Sequence, residues 1–426
     1  MGKKLFFTIK KRTQTGWLMW LLIMMPFLFG TLNDLLGLPN LVRYVLDVAW
    51  CLLLVCLLLS NRSGQGIREK NLALWIVVFL LYAALVYVVQ FQSLLYYLWG
   101  VRNNFRFYVA FFAFAAFLSQ RDIEDYFKFF DVLFWINVAA SLIQFFGLEL
   151  TGDYRGGIFG TEQGCNGYTN VFFAIMVTKS IVFYLEKRET TWNCVTKCVA
   201  ALLVAALAEL KFFFVEFVII FVLATLFTSF TWRKLWVIVG GFAAVIAFAA
   251  LLTAVFPDFT DWFTVEWFLK AGTSDLGYTS SGDLNRLNAI PQINGLWLKD
   301  WGERIFGLGL GNCETSSFAF LNTPFFKANG DMHYSWLSYA FMYLECGWIG
   351  LIFYFGFFTL VYLRIRKLEK RSEGIAKTYC HVSRIVAVLC MLISVYNGSL
   401  RNEAGYMAYF VLAVPFVVCR SAKLST

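Results

Sequence analysis

Residues 41–90 read LVRYVLDVAWCLLLVCLLLSNRSGQGIREKNLALWIVVFLLYAALVYVVQ. Two apolar runs flank a short connector, and each run is about as long as the 20 residues that an α-helix needs to cross hydrocarbon. Arg62, Arg68 and Lys70 lie in the connector. Because cytoplasmic connectors are enriched in Lys and Arg, this stretch predicts two membrane-spanning helices joined by a cytoplasmic turn.

The same alternation continues along the chain. The sequence is 60 % hydrophobic and only 15 % charged, whereas soluble domains carry roughly 25 % charged residues. This composition excludes an ordinary soluble enzyme and predicts an all-α polytopic integral membrane protein of about twelve transmembrane helices. The predicted spans are 16–37, 40–60, 72–90, 105–119, 127–147, 167–185, 198–209, 212–230, 235–256, 345–364, 382–398 and 403–419.

The basic residues predict the orientation. The net charge is +9, and in a soluble chain this excess would suggest nucleic acid. Here most Lys and Arg fall in short connectors, above all 365–381, so they set topology and no nucleic-acid partner is expected. The basic N-terminus before the apolar residues 17–29 lacks a small-residue cleavage site and predicts a retained first helix. Both termini are then cytoplasmic.

The stretch 198–230 contains Glu209, Lys211 and Glu216 where a single span would have its middle. Burying such charges costs about 2.5–3.5 kcal/mol each on insertion scales. Two shorter helices that meet near Lys211 are therefore expected.

Three regions are predicted. Residues 1–256 hold the first nine transmembrane helices, 257–344 form a large extracytoplasmic loop, and 345–426 hold the last three helices and the cytoplasmic tail. A loop of this length without internal structure is unusual. Leu284, Leu287, Ile290 and Ile293 recur at near-helical spacing, which predicts short helices lying across the outer mouth.

The Cys and His residues of the sequence give little support for a metal site or a redox site. The chain has ten Cys without a CxxC motif and only two His, so no zinc or redox site is expected. Cys165 and Cys313 can pair if both face an oxidising compartment, which the sequence alone leaves open. His381 lies in a basic inner connector and is expected to be inert.

Several cations are predicted at the outer face, against the positive-inside rule. Four of them, Arg155, Lys211, Arg286 and Arg401, lie in four separate outer connectors. Two interpretations stay open: ion pairs with carboxylates of the chain, or a shared anionic ligand. Several guanidinium groups together suit a diphosphate, which Arg binds in bidentate fashion, and the lipid carrier of bacterial surface glycans has that group.

Three motifs lie on the predicted outer side. Residues 155–170, RGGIFGTEQGCNGYTN, either form a plain turn or let the backbone approach an anion closely. Residues 306–312, FGLGLGN, predict a tight turn. Residues 331–355 contain His333 at the start of a stripe of helical spacing that includes Tyr334, Leu337 and Phe341.

These motifs and their order resemble the superfamily of O-antigen ligases and O-antigen or capsule repeat-unit polymerases. The residues that carry the resemblance are Arg155, Gly157, Phe159, Gly160, Asn166, Arg286, Arg304, Gly307, Gly309, Gly311, Asn312, His333, Leu337, Glu345, Gly347 and Gly350. Lys211 stands where many relatives have Arg, and Tyr334 stands where they have Asn.

The resemblance implies a metal-independent glycosyltransferase of the GT-C type, without a cofactor, in a bacterial inner membrane. Its partners would be polyprenyl-diphosphate-linked oligosaccharide donor and acceptor, the bilayer and a chain-length regulator protein. His333, or else Glu345 or Asp331, would remove the acceptor proton. The leaving diphosphate would be held by Arg286, Arg155, Lys211, Arg401 and Arg304.

Three alternatives stay open. A ligase would move a finished glycan onto a lipid or protein acceptor. A flippase of lipid-linked oligosaccharide would carry charged residues deep within its helices. A non-enzymatic receptor or scaffold would use the outer cations only in ion pairs.

Overall fold

In the computed structural model, residues 13–62, 66–150, 152–228 and 283–424 are described, with isolated positions between 232 and 250. Regular structure within these ranges is entirely helical, which confirms the all-α class. The helices are α1 (Gln14–Leu36), α2 (Val45–Arg62), α3 (Lys70–Val89), α4 (Leu94–Phe117), α5 (Gln120–Phe146), α6 (Asn166–Leu185), α7 (Thr191–Leu207), α8 (Lys211–Phe227), α9 (Ala289–Leu296), α10 (Trp301–Phe306), α11 (Pro324–Asn329), α12 (Ser338–Glu369), α13 (Gly374–Tyr396) and α14 (Ala404–Leu424).

The membrane class is confirmed as well. Among the described helices, seven are long and apolar enough to cross a membrane, namely α1, α2, α3, α5, α6, α12 and α13. Helices α7 and α14 are apolar but shorter. The ninth predicted span, 235–256, lies mostly outside the described residues. The total of twelve spans and the GT-C type therefore stay predictions.

Helix α6 lies at the centre of the bundle. Its apolar window is 89 % buried, against 22 % for α2 and 28 % for α3. It packs against α7, α8, α13 and α14, whereas α2 and α3 leave one apolar face exposed. An exposed apolar helix face suits hydrocarbon rather than water, so the peripheral helices are those that contact lipid.

The break predicted within 198–230 is confirmed. Helix α7 ends at Leu207 and α8 begins at Lys211. Glu209 in the turn adopts a positive φ of 55°. Two of the three charged residues, Glu209 and Lys211, thus lie at the helix ends and avoid the middle of a single long span. The third, Glu216, is buried within α8 and accepts a hydrogen bond from Asn170.

The fourth predicted span, 105–119, has the wrong start, because α4 already begins at Leu94. The pattern of apolar runs favours a later start because Arg102, Asn103 and Asn104 interrupt the run just before residue 105, and Arg106 already lies within the predicted span. Arg102 is instead paired with Asp47 at 2.7 Å, and Arg106 with Glu403 at 3.5 Å. These partners are supplied by other parts of the fold, so the two cations are accommodated within the helix.

The predicted outer segment contains short helices, but fewer residues are helical than the spacing suggested. Residues 257–282 lie outside the described part, and α9 covers only Ala289–Leu296. The helical stripe predicted from His333 onward is wrong at its start. His333 has a φ of 49°, and α12 begins only at Ser338. A left-handed residue ends helical propagation, so His333 lies on a turn.

Helix α12 is interrupted at Gly347, whose φ of 61° and ψ of −162° are not helical. The carbonyl oxygens of Leu344 and Glu345, released from helix bonding, accept the N–H groups of Leu308 at 2.9 Å and Gly309 at 2.8 Å. The glycine-rich turn and the later Glu-x-Gly motif therefore form one backbone junction. The region boundary predicted between residues 344 and 345 falls beside this interruption.

Candidate functional site

A cavity of about 730 Å³ opens at one end of the helix bundle. It lies where α1 and α13 end and where α4, α6, α8 and α14 begin, so its wall is drawn from many connectors. Five arginines line it, namely Arg43, Arg102, Arg106, Arg286 and Arg401. Five carboxylates also line it, namely Asp153, Glu162, Glu209, Glu314 and Glu403. Among the residues that the structure describes, the lining is thus strongly polar, with as many arginines as carboxylates.

Arg401 forms a buried ion pair in the cavity wall. Its Nη2 donates to Oε1 of Glu314 at 2.7 Å, with the two side chains 10 % and 6 % exposed. The guanidinium also lies over the ring of Phe341 at 3.4 Å. The Nε of Arg401 is buried and has no hydrogen-bond partner among the described residues. Arg401 therefore retains donor capacity beyond the bond to Glu314.

Arg286 reaches the cavity from the outer segment. Its Nε donates to the carbonyl oxygen of Tyr396 at 3.1 Å, and its guanidinium lies 4.2 Å from the centre of the Tyr396 ring. The hydroxyl of Tyr339 donates to the carbonyl oxygen of Arg286. Since α12 carries Tyr339 and α13 carries Tyr396, two long helices fix the position of Arg286.

Glu403 organises the opposite wall. It accepts from Tyr168 Oη at 2.7 Å and pairs with Arg106 at 3.5 Å. Burial would raise the pKa of Glu403, but the charges of Arg106 and Arg43 outweigh it and lower that pKa to about 2. Arg43 itself pairs with Glu162 at 2.6 Å. Glu403 is therefore ionised at neutral pH and serves as a counter-ion rather than as a proton acceptor.

His333 lies beside the cavity, on the turn before α12. Its Nδ1 is 2.7 Å from Oδ1 of Asp283, whose side chain is only 2 % exposed. The imidazole stacks on the indole of Trp336 at 3.9 Å between ring centroids, and Trp336 lines the cavity. A carboxylate that accepts from Nδ1–H orients the ring and favours the tautomer in which Nε2 carries no proton.

Of the five residues predicted to bind diphosphate, the cavity brings together Arg286 and Arg401. Arg155 does not line it. Its guanidinium donates to the carbonyl oxygens of Leu150 and Leu207 and lies over the ring of Phe145. Burial lowers the pKa of Arg155. Because Leu150 lies in the connector between α5 and α6 and Leu207 is the last residue of α7, Arg155 fastens the connector before α6 to the end of α7.

Lys211 and Arg304 also lie outside the lining. Lys211 is the first residue of α8, although its neighbours Leu210 and Phe212 face the cavity. Arg304 donates to the carbonyl oxygen of Leu298 at 3.0 Å and lies over Trp301. The sequence predicts these cations on the same side of the bundle as Arg286 and Arg401. Whether they lie close to one another is decided by the tertiary structure.

The two alternative proton acceptors lie apart from the cavity lining. Glu345 is fully buried and accepts the N–H of Cys313 at 3.0 Å. It therefore secures the glycine-rich turn to α12. Asp331 is exposed on a single 3-10 turn before His333. None of the three, His333, Glu345 and Asp331, is itself part of the described lining; His333 reaches the lining through its stacking on Trp336.

Two glycines of residues 155–170, Gly157 and Gly160, lie in close contacts that leave little room for a side chain, and Gly30 of α1 meets the same segment. A Cβ on Gly30 would lie 1.9 Å from the carbonyl oxygen of Phe159, and one on Gly157 would lie 2.2 Å from Oδ1 of Asn137. Gly157 also has a φ of 62°. This segment lies directly against α1 and α5. It leads the chain from the end of α5 to the cavity wall at Glu162 and Asn166.

Cys165 and Cys313 are both buried, free thiols. Burial is the main cause that raises the pKa of Cys165, to about 12. The Sγ of Cys165 donates to the carbonyl oxygen of Gly160 at 3.1 Å. Within the described ranges no group of three His, Cys, Asp or Glu side chains could hold a metal ion.

Sequence reasoning missed three residues of this site. They are Glu314, the partner of Arg401, Asp283, the partner of His333, and Trp336, which stacks on His333. A glutamate two residues after a glycine-rich turn and an aromatic residue two positions before a helix carry no local signal of their own. Their roles follow from contacts between segments that are distant in sequence.

No family model matches this chain, and no curated protein matches it. The resemblance to polysaccharide ligases and polymerases is therefore carried by the motifs alone.

Proposed function

We propose that this protein polymerises a bacterial surface polysaccharide. It transfers glycan from a polyprenyl-diphosphate-linked donor to a sugar hydroxyl of a second lipid-linked repeat unit, with inversion at the anomeric carbon. The observation that carries this proposal is the cavity itself. Arg286 and Arg401 lie in its wall, and the His333–Asp283 pair contacts the same wall through Trp336.

The diphosphate is held by Arg286 and Arg401. Arg presents five donors in a fixed fork that fits phosphate oxygens. Glu314 holds the Arg401 fork in one orientation before substrate arrives. As the bond between the anomeric carbon and the diphosphate oxygen breaks, negative charge grows on that oxygen, and donors already in place stabilise it.

The acceptor hydroxyl loses its proton to His333. The hydroxyl oxygen attacks the anomeric carbon, the polyprenyl diphosphate leaves, and the proton passes to Nε2 of the imidazole. Asp283 stabilises the imidazolium that forms. The proton is then released to water, which returns the histidine to its starting state. The energy of the reaction comes from the diphosphate bond of the donor.

The charge distribution supports an extracytoplasmic site in the bacterial inner membrane. The connector between α12 and α13 lies at the end of the bundle away from the cavity, and the last turn of α12 carries Arg366 and Lys367. Basic connectors face the cytoplasm. On this rule the termini are cytoplasmic and the cavity faces outward, where lipid-linked repeat units and a chain-length regulator protein are available.

Reconstitution with a polyprenyl-diphosphate-linked repeat unit tests the proposal. The wild-type protein is expected to give a ladder of polymers and one polyprenyl diphosphate per bond formed. Arg286→Lys is expected to lower the rate by about 10²-fold, since the ammonium loses the bidentate fork. Arg304→Lys is the matched control, because Arg304 does not line the cavity. Unchanged ladders from both variants would remove Arg286 from the mechanism.

A flippase is the second candidate, favoured by buried charges near the opposite end of the bundle. Asp131 of α5 pairs with Lys179 of α6 at 2.7 Å and with Lys197 of α7 at 2.8 Å, and both lysines are buried. Ionisable groups between membrane helices often mark a transport path. In the same vesicles, a flippase would move the lipid-linked glycan across the bilayer without forming glycosidic bonds.

A further inference from the structure

Trp336 is the most exposed aromatic side chain in the wall of the cavity. It is 41 % exposed, while the other aromatic residues of the wall are buried or half-buried. A large part of the indole is therefore exposed apolar surface within a polar cavity, and no described residue packs on that part. Such a surface is typical of a ligand contact rather than of packing.

The position of Trp336 is fixed on two sides. One ring face stacks on His333, at 3.9 Å between ring centroids and 24° between planes. Its backbone packs on the connector that carries Arg401, since a Cβ on Gly398 would lie 3.3 Å from the carbonyl oxygen of Trp336. The hydroxyl of Ser338 donates to the carbonyl oxygen of Asn397 at 3.0 Å in the same contact. The backbone at Trp336 is therefore anchored to the connector that carries Arg401, and the imidazole covers one face of the indole.

A pyranose matches this surface. One face of a sugar ring presents C–H groups with slight positive charge, and the face of an indole carries negative charge density. Polar side chains of the same wall, including Asn397 and Asn402, are available to hydrogen-bond with hydroxyl groups at the edge of a sugar ring. The indole thus contributes apolar contact, and its neighbours contribute hydrogen bonds that set orientation.

We propose that Trp336 is the platform on which the acceptor sugar stacks, so that its attacking hydroxyl lies next to His333. That the bound sugar is the acceptor rests on the proposed function. Sugar binding at Trp336 can nevertheless be measured without turnover. The ligand class is a neutral pyranose at the end of a glycan. Trp336 would therefore be a binding residue, distinct from the arginines that hold diphosphate.

The experiment uses the full-length protein in nanodiscs. Methyl glycosides of glucose, galactose, rhamnose and N-acetylglucosamine are the sugar probes, and binding is followed by saturation-transfer NMR. Inorganic pyrophosphate is titrated separately. The variants are Trp336→Leu, Trp336→Phe and the control Trp301→Leu, since Trp301 is 72 % exposed but lies outside the cavity wall.

At least one glycoside is expected to bind the wild-type protein and Trp301→Leu equally. Trp336→Leu is expected to weaken that binding about tenfold, and Trp336→Phe less, because a smaller ring keeps part of the stacking. Pyrophosphate affinity is expected to stay unchanged in all three variants, which also verifies folding of Trp336→Leu.

The outcomes separate the two proposals. If no glycoside binds the wild-type protein, or if Trp336→Leu binds sugar as well as wild type, the platform is overturned, whatever pyrophosphate does. If sugar binding depends on Trp336 but pyrophosphate does not bind, the platform stands and the diphosphate part of the proposed function fails.

Discussion

Nδ1 of His333 lies 2.7 Å from Oδ1 of Asp283, although 50 residues separate the two in sequence. His333 stays partly accessible, with 38 % of its side chain exposed, while the Asp283 side chain is buried. A buried carboxylate behind an accessible imidazole is the arrangement that orients a general base.

Asp283→Asn is therefore expected to lower turnover on the order of 10²-fold, because the amide cannot stabilise the imidazolium. Initial rates of polymer formation in proteoliposomes measure the effect. Asp125→Asn is the control, since Asp125 lies on the surface of α5 with a side chain 63 % exposed. Equal rates for both variants would mean that Asp283 does not support catalysis.

The Arg401–Glu314 pair is expected to contribute to stability. Arg401→Met leaves Glu314 buried without its partner, which costs about 3–5 kcal/mol. The double variant with Glu314→Gln is expected to recover part of this loss. Chemical unfolding in detergent provides the measurement. Lys128→Met removes the exposed partner of Asp125 and is expected to cost less than about 1 kcal/mol. Similar losses for Arg401→Met and Lys128→Met would contradict the argument.

Gly347→Ala is expected to destabilise the protein by about 3 kcal/mol. The added Cβ would lie 2.3 Å from the carbonyl oxygen of Ile305, at a φ of 61° that disfavours any side chain. Gly295→Ala in α9 is the control, because open space surrounds its Cβ position. Thermal unfolding of the two variants compares them, and a Gly347→Ala protein as stable as Gly295→Ala would exclude a structural need for glycine at the break.

The pKa of Glu403 predicts a loss of stability in acid. The folded-state value of about 2 lies below the ordinary value of 4.5. The resulting stabilisation is fully present above about pH 4.5 and is lost as the pH falls through about 2. At most about 3 kcal/mol is involved. Glu403→Gln is expected to be less stable at pH 7 and to lose less stability between pH 4.5 and 2. An acid limb identical to that of wild type would show that another carboxylate is responsible.

The local sequence pattern was sufficient to predict that helices form, but it did not always predict where they begin and end. The charges at Glu209 and Lys211 predicted the break between α7 and α8, because a charged side chain is costly in mid-span wherever the helix lies. The same rule gave the wrong start for α4, since Arg102 is neutralised by Asp47 from α2. A hydropathy pattern contains no information about such a partner.

The candidate site was predicted only in part. Arg286 and Arg401 line the cavity, whereas Arg155 joins two connectors through carbonyl oxygens. All three carry the same charge and lie in segments that the sequence predicts on the same side of the membrane. Which guanidinium faces open space depends on how the connectors pack, and packing involves residues far apart in sequence.

The sequence by itself determined that the chain is a helical membrane protein, since apolar runs of spanning length must bury their backbone in helices. It also determined which side chains are available at the end of the bundle away from the basic connectors. Only the tertiary structure decided which of them meet. His333 pairs with Asp283, and Arg401 pairs with Glu314, although the partners lie far apart in the sequence. Such long-range pairs cannot be inferred from the residues next to each partner.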